Sequence, residues 1–142
     1  MENRYLFRGK AKCIVGTYNF GKEDGEWVEG SLRCDCGKYT IFQFETDSAD
    51  YIAYEVDPLT ICQCTGLNDK NGNLIWENDI CDRKEQYPEI VKYFNGDWTL
   101  DYSYASHKES GGCYCNLGFY AEERKCVEVI GNIFDNPELL EV

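Results

Sequence analysis

The stretch Gln63-Cys-Thr-Gly-Leu-Asn-Asp-Lys-Asn-Gly-Asn-Leu-Ile-Trp-Glu-Asn-Asp-Ile80 decides the fold class. Two short apolar runs flank a cluster of Asn, Asp and Gly, and no apolar residue recurs at helical spacing. Asn71-Gly72 supplies two neighbouring residues that tolerate positive φ, which a two-residue type I′ hairpin needs. The chain is therefore expected to arrive extended over Leu59–Thr65, turn at 68–72 and leave as a strand over Asn73–Trp76. Glu77-Asn78-Asp79 reads as a second tight turn, and Ile80–Arg83 as the start of another strand.

The same grammar extends in both directions. Toward the C-terminus, Ile90–Phe94 and Trp98–Tyr104 flank Asn95-Gly96-Asp97, a second hairpin. Ser110-Gly111-Gly112 reads as a loop, and Phe119–Ala121 and Val127–Ile133 as strands. Asn136-Pro137 is expected to open a short helix or turn through Leu140, with Pro137 at its first position and Asn136 as its cap. Toward the N-terminus, strands are expected at residues 4–8, Lys12–Thr17, Glu26–Arg33 (with Gly30 as a candidate bulge) and Tyr39–Phe44, while Ala49–Val56 reads either as one more strand or as a loop. Turns are expected at Phe20–Gly25 and Gly37. Short strands at regular spacing predict a mostly β protein, either one domain or two small lobes sharing a core and packed as one compact unit, residues 1–66 and 67–142, the second an SH3-like barrel, closed or nearly so.

Composition narrows the function. The 142 residues carry a net charge of −12, with seven Lys/Arg against eleven Asp/Glu in residues 1–66 and seven against fifteen in residues 67–142. Binding to nucleic acid draws on cations that displace counterions from phosphate. Here the longest basic runs are pairs such as Arg83-Lys84 and Arg124-Lys125, so direct DNA or RNA binding is not expected. An acidic surface suits a basic partner. No apolar run has the length of a signal or of a membrane span, which predicts a cytoplasmic protein. Nine cysteines in such a chain are expected to be reduced thiols, not a disulfide framework.

Three segments, taken together, resemble the YopX family. They are Arg4-Tyr-Leu-Phe-Arg-Gly-Lys10 with Asp24-Gly-Glu-Trp-Val-Glu-Gly30, then Gln63–Ile80, then Glu128-Val-Ile-Gly-Asn-Ile-Phe-Asp-Asn-Pro-Glu-Leu-Leu140. The likeness holds in order and spacing over nearly the whole chain. Three positions depart from the pattern: Asn78 stands where Gly commonly precedes Asp-Ile, and Cys64 and Cys81 stand where aromatic and aliphatic residues are usual. Asn replaces Gly at a left-handed position at modest cost. The resemblance implies an all-β fold related to SH3-type barrels and an origin in phages or prophages. It carries over no activity and no functional residue.

Among chemistry-bearing residues, the three Cys-x-Cys pairs (Cys34/Cys36, Cys62/Cys64 and Cys113/Cys115) stand out. In a strand both thiols of such a pair share a face, and two pairs could build a tetrahedral zinc site. Cys34, Cys36, Cys113 and Cys115, each pair beside Gly, are the candidates. Zinc ribbons favour Cys-x2-Cys, however, and thiols are also small core hydrophobes, so no metal and no cofactor is expected. His107, the only histidine, lies in a polar stretch. The Asp69–Asn78 run fails as a calcium loop, since alignment on Gly72 puts Leu67 and Asn78 at positions that need carboxylates. Acidic pairs such as Glu122/Glu123 and Asp79/Asp82 follow from composition. Tyr87, Tyr93, Trp98, Tyr102, Tyr104, Tyr114 and Tyr120 crowd the C-terminal half, either as cross-strand packing or as a binding surface.

These readings predict a phage or prophage accessory protein that is not an enzyme and acts by binding a protein partner or its own copies. Two alternatives remain: an acidic DNA mimic that blocks a host DNA-binding protein, and a zinc- or redox-active cysteine protein.

Overall fold

A computed structural model describes residues 3–13, 21–44, 50–105 and 114–141. The chain is mostly β and falls into two compact units, Met1–Cys64 and Thr65–Val142. The division lies after Cys64, inside a strand, compared with the boundary after residue 66 expected from turn chemistry. No helix among the described residues is long and apolar enough to cross a membrane.

The first unit contains β1 (Phe7–Lys10), β2 (Trp27–Asp35), β3 (Lys38–Phe44), β4 (Tyr51–Glu55) and the first residues of β5 (Cys62–Asn68). Its strands run in the order β4-β3-β2-β1-β5, all antiparallel. Asp35 pairs with Lys38, leaving Cys36-Gly37 as a two-residue turn. Both turn residues have positive φ, 50° and 79°, the pattern of type I′, whose twist matches the strands it joins. Alternation along the strands sends Val28, Ile41, Tyr54 and Val56 inward to pack with Ala11. Trp27 takes Arg8 and Lys10 over its ring, at 4.5 and 5.4 Å.

Beyond β1 the chain bends to meet the far end of the sheet. Ala11 bridges to Val56, Lys12 N donates to Glu55 O at 2.9 Å, and Asp57 N donates to Lys10 O at 2.9 Å. Gly9 permits this approach, since a Cβ there would sit 3.0 Å from the Cβ of Val56. The chain beyond β1 thus meets the chain beyond β4 at one isolated bridge, and the described strands of this unit do not close into a barrel. A 3-10 turn, Pro58–Thr60, capped by the Asp57 carboxylate, delivers the chain to β5. Of the strand expected over Lys12–Thr17, residues 14–17 lie outside the described residues, as does Phe20 of the turn that follows.

The second unit holds the rest of β5, β6 (Leu74–Trp76), β7 (Asp79–Asp82), β8 (Glu89–Phe94), β9 (Asp97–Asp101), β10 (Tyr114–Asn116) and β11 (Glu128–Asn132). β6 lies beside β5, and the others form a sheet in the order β10-β9-β8-β7-β11. Ile75, Cys81, Val91, Leu100, Leu117, Ala121 and Val127 form its core. The closed barrel expected here is not formed among the described residues: β10 and β11 lie at opposite ends of the order. A register shift between Val129 and Gly131 bends β11.

Several local expectations are corrected. Asn71-Gly72 is not a type I′ turn: only Gly72 takes positive φ, 84°. Asn95-Gly96 does have that geometry, with φ of 50° and 81° and Phe94 paired to Asp97. Phe119–Ala121 is not a strand but part of a π-helical turn, Phe119–Glu123. The C-terminus is a single 3-10 turn, Pro137–Leu140, and Asn136 does not cap it; its side chain instead accepts from Asn132 N at 3.3 Å. Gly30 is not a bulge. It pairs regularly with Phe7 and is small because a Cβ would collide with the carbonyl oxygen of Phe42. Since that neighbour is backbone, no rotamer change relieves the clash. Gly30→Ala is expected to destabilise the protein by about 1–3 kcal/mol, read as a lower midpoint in urea denaturation, whereas the same change at Gly21, which faces open space, incurs backbone strain alone.

Candidate functional site

Asp69 organises the second unit. Its Oδ1 accepts from the backbone N–H groups of Asn71 and Asn73, each at 2.9 Å, and its Oδ2 accepts from Val129 N on β11 at 3.0 Å. Burial pushes the Asp69 carboxyl up, but the backbone donors of Val129, Asn73 and Asn71 outweigh it and hold the group below the usual carboxylate range. The next turn repeats the device: Asp79 Oδ2 accepts from Trp76 N at 2.8 Å, and Asn78 takes φ 69°. Asn78 thus fills a left-handed position without being Gly.

The segment 83–88 between β7 and β8 walls a cavity of about 300 Å3 together with Tyr102 beyond β9, Cys115 on β10 and Tyr120 on the π-turn. At its base lies the Arg83 guanidinium, with a side chain only 9% exposed. Its Nε donates to Glu89 Oε1 at 2.6 Å, and its Nη2 reaches Glu89 Oε2 at 3.4 Å. Nη1 donates to Glu85 at 3.1 Å, and Nη2 also to the Cys115 sulfur at 3.2 Å. The guanidinium stacks on the Tyr120 ring at 4.2 Å. Burial works against the charge on Arg83, and the Glu89 carboxylate more than compensates, so its affinity for the proton rises. Burial also pushes the Glu89 carboxyl up against the pull of that guanidinium. With the two groups 2.6 Å apart, we read the pair as ionised at neutral pH. Tyr104 donates its hydroxyl proton to Pro88 O at 2.7 Å and so pins the loop.

The cysteine candidates are placed one by one. Cys34 is the last residue but one of β2 and is exposed, while Cys36 occupies the adjoining turn, so the two do not share a strand face as a Cys-x-Cys pair would. Cys115 sits against Arg83. Cys113 lies outside the described residues, as do His107 and the 110–112 loop. Cys62 and Cys64 are fully buried on β5, and Cys81 joins the core, where burial pushes its thiol well up. Among the described residues no group of three His, Cys, Asp or Glu side chains could hold a metal. Of the C-terminal aromatics, Tyr87, Tyr102 and Tyr120 line the cavity, and Tyr93 packs edge-on against Trp98 at 5.1 Å. The side chain of Tyr114 is not among those described.

A second surface is absent from the sequence expectations. In the first unit, Phe42 and Phe44 on β3 and Tyr51 on β4 form an apolar groove of about 310 Å3 with Ser31 and Arg33 of β2. Tyr51 lies 5.2 Å from Phe42 and 6.0 Å from Phe44, ring centre to ring centre. Phe44 and Tyr51 are 63% and 57% exposed. The signal was present in β3: Tyr39 and Ile41 occupy one face by alternation, Phe42 and Phe44 the other, so the strand is apolar on both.

Two outcomes are expected from these contacts. Asp69→Asn should cost about 1–3 kcal/mol at neutral pH by weakening the acceptor of three backbone N–H donors. Because the folded-state pKa lies below the unfolded one, the carboxylate's stabilisation is present above the unfolded pKa and disappears as pH falls through the folded pKa. The difference between wild type and variant in chemical denaturation should therefore shrink with acidification. Arg83→Met should cost about 3–5 kcal/mol, since it leaves Glu89 buried without its partner, and the double change with Glu89→Leu should recover much of that loss.

No curated protein matches the chain. The YopX protein family does, over residues 19–141, a span that contains every described strand except β1 and the entire Arg83 cavity. By that match, the chain belongs to the YopX family.

Proposed function

We propose that this is an accessory protein of a phage or prophage that acts in the bacterial cytoplasm by protein contact rather than catalysis, and that its first contact is with a second copy of itself. Family membership supports the origin. The order of the second unit, with its fifth strand returning to its first, supports reading that sheet as an opened relative of the SH3-type barrel.

The observation that carries self-assembly is the groove of Phe42, Phe44 and Tyr51. Exposed aromatic rings grouped on one sheet face are typical of interfaces. β4, which supplies Tyr51, ends the strand order. Natural edge strands are commonly guarded by charge or proline. The run Tyr51-Ile-Ala-Tyr54 has neither, and the one charge of β4 is Glu55, at the end where the backbone already bonds Lys12. An antiparallel β4–β4 contact is self-complementary under a two-fold axis and brings the two aromatic grooves together. The four buried carboxylates Asp69, Asp79, Glu89 and Asp101 are not available to the surface rows of acids that a DNA mimic would need.

Sedimentation or light scattering should find a dimer in the wild type and a monomer in Phe44→Ser/Tyr51→Ser, with thermal stability little changed. Because both copies are acidic, added salt should strengthen the association. A wild type that stays monomeric at high concentration would defeat the self-assembly reading.

A further inference from the structure

We propose that the Arg83 cavity binds a cationic alkylammonium group, such as a lysine side chain. Three features of the site agree on the sign of the ligand's charge. First, Arg83 is already neutralised: its guanidinium is held by Glu89, itself about 1% exposed, and covered by the Tyr120 ring. Second, the cavity lining adds another carboxylate to the one cation Arg83: Glu85, bonded to it at 3.1 Å with its side chain 53% exposed. Third, the walls are phenol rings, Tyr87 and Tyr102 with centres 6.4 Å apart, plus Tyr120. The negative face of an aromatic ring attracts cations, more so when water is excluded. Arg83 stacked at 4.2 Å on Tyr120 shows one wall of this cavity already taking a cation face-on. The net charge of −12 adds a long-range attraction of the same sign.

The opposite assignment has less to draw on. An anion would have to displace Glu85 from the single Arg83 nitrogen it holds, while Glu89 keeps Nε and approaches Nη2. It would also approach against the field of the whole chain. The volume of about 300 Å3 admits an ammonium with its alkyl stem and methyl substituents. Gln86, whose amide donates to the Tyr87 hydroxyl at 3.3 Å, leaves its carbonyl oxygen for an ammonium proton.

The test titrates the full chain with choline, with its neutral carbon analogue 3,3-dimethylbutan-1-ol, with butyrate, and with a capped Gly-Lys-Gly peptide, following the tyrosine ring resonances by NMR. Choline or the lysine peptide should shift Tyr87 and Tyr102. The neutral analogue should bind about fivefold more weakly or worse. Glu85→Gln, a change at a half-exposed position, should weaken the cation by a similar factor at low salt, and Tyr102→Ala should abolish the shifts. Peptide binding tighter than choline makes a protein's lysine the source of the ammonium; choline binding as tightly as the peptide makes it a free small amine. Binding of butyrate, equal binding of the neutral analogue, or no shift with any probe would overturn the proposal.

Discussion

One carboxylate fixes the arrangement of the second unit. Asp69 sits at the end of β5, receives two backbone N–H groups from the loop that follows and a third from β11, sixty residues later in the chain. The loop's conformation and the placement of the last strand are therefore set by the same two oxygens. Lys70 N donates to Val127 O at 2.8 Å, and the Lys70 ammonium lies 3.2 Å from Glu128, so neighbouring contacts reinforce the tie. From there Asp79 and Asn78 shape the entry to β7, and Ile133 N donates to Asn78 O at 3.1 Å. A carboxylate satisfied by backbone donors is rigid in a way an apolar contact is not, because each bond fixes direction as well as distance. That rigidity allows a unit with little helix to position the 83–88 loop.

The β class, most of the strands and the turns at Gly37, Asn78 and Asn95-Gly96 were legible from apolar alternation and turn residues. What failed has identifiable causes. Asn71-Gly72 has the composition of a type I′ turn, but the Asp69 side chain offers the loop amides a competing acceptor, and the chain takes the geometry that uses it. Phe119–Ala121 looks like a strand because aromatic residues favour strands, yet Ala121 is needed in the core and Tyr120 under Arg83, which the tighter turn achieves. Among the described residues the barrel does not close where the turns suggest. Sheet closure depends on tilt and stagger between strands, which local sequence does not encode. In the first unit the isolated bridge forms through Gly9 and Ala11, small residues that carry no obvious signal.

Site residues were harder to read because their meaning lies in pairing across strands. The six C-terminal aromatics whose side chains are described divide their roles: three line the cavity, Tyr93 and Trp98 pair with each other, and Tyr104 serves as a strut through its hydroxyl. The exposed cluster lies in the other unit, where Phe44 and Tyr51 meet only because β3 and β4 pair in that register. Charge tells a similar story. Several of the 26 acids have structural roles, as acceptors in Asp69 and Asp79 or as the counter-ion in Glu89. The acidity of the surface is thus somewhat lower than the composition suggests.

The two Asn-Gly turns also set how the molecule ages. At such a pair the glycine amide nitrogen can attack the asparagine side chain, release ammonia and leave a succinimide that opens mostly to isoaspartate, which inserts an extra carbon into the backbone. Asparagine is among the residues that heat removes first. At 71–72 the attacking nitrogen is occupied, since Gly72 N donates to Asp69 O at 3.0 Å. At 95–96 an extra backbone carbon would lengthen the two-residue turn that pairs Phe94 with Asp97. Chemical wear at Asn95 would therefore first be felt in the pairing of β8 with β9, the hairpin that carries Val91 and Leu100 into the core.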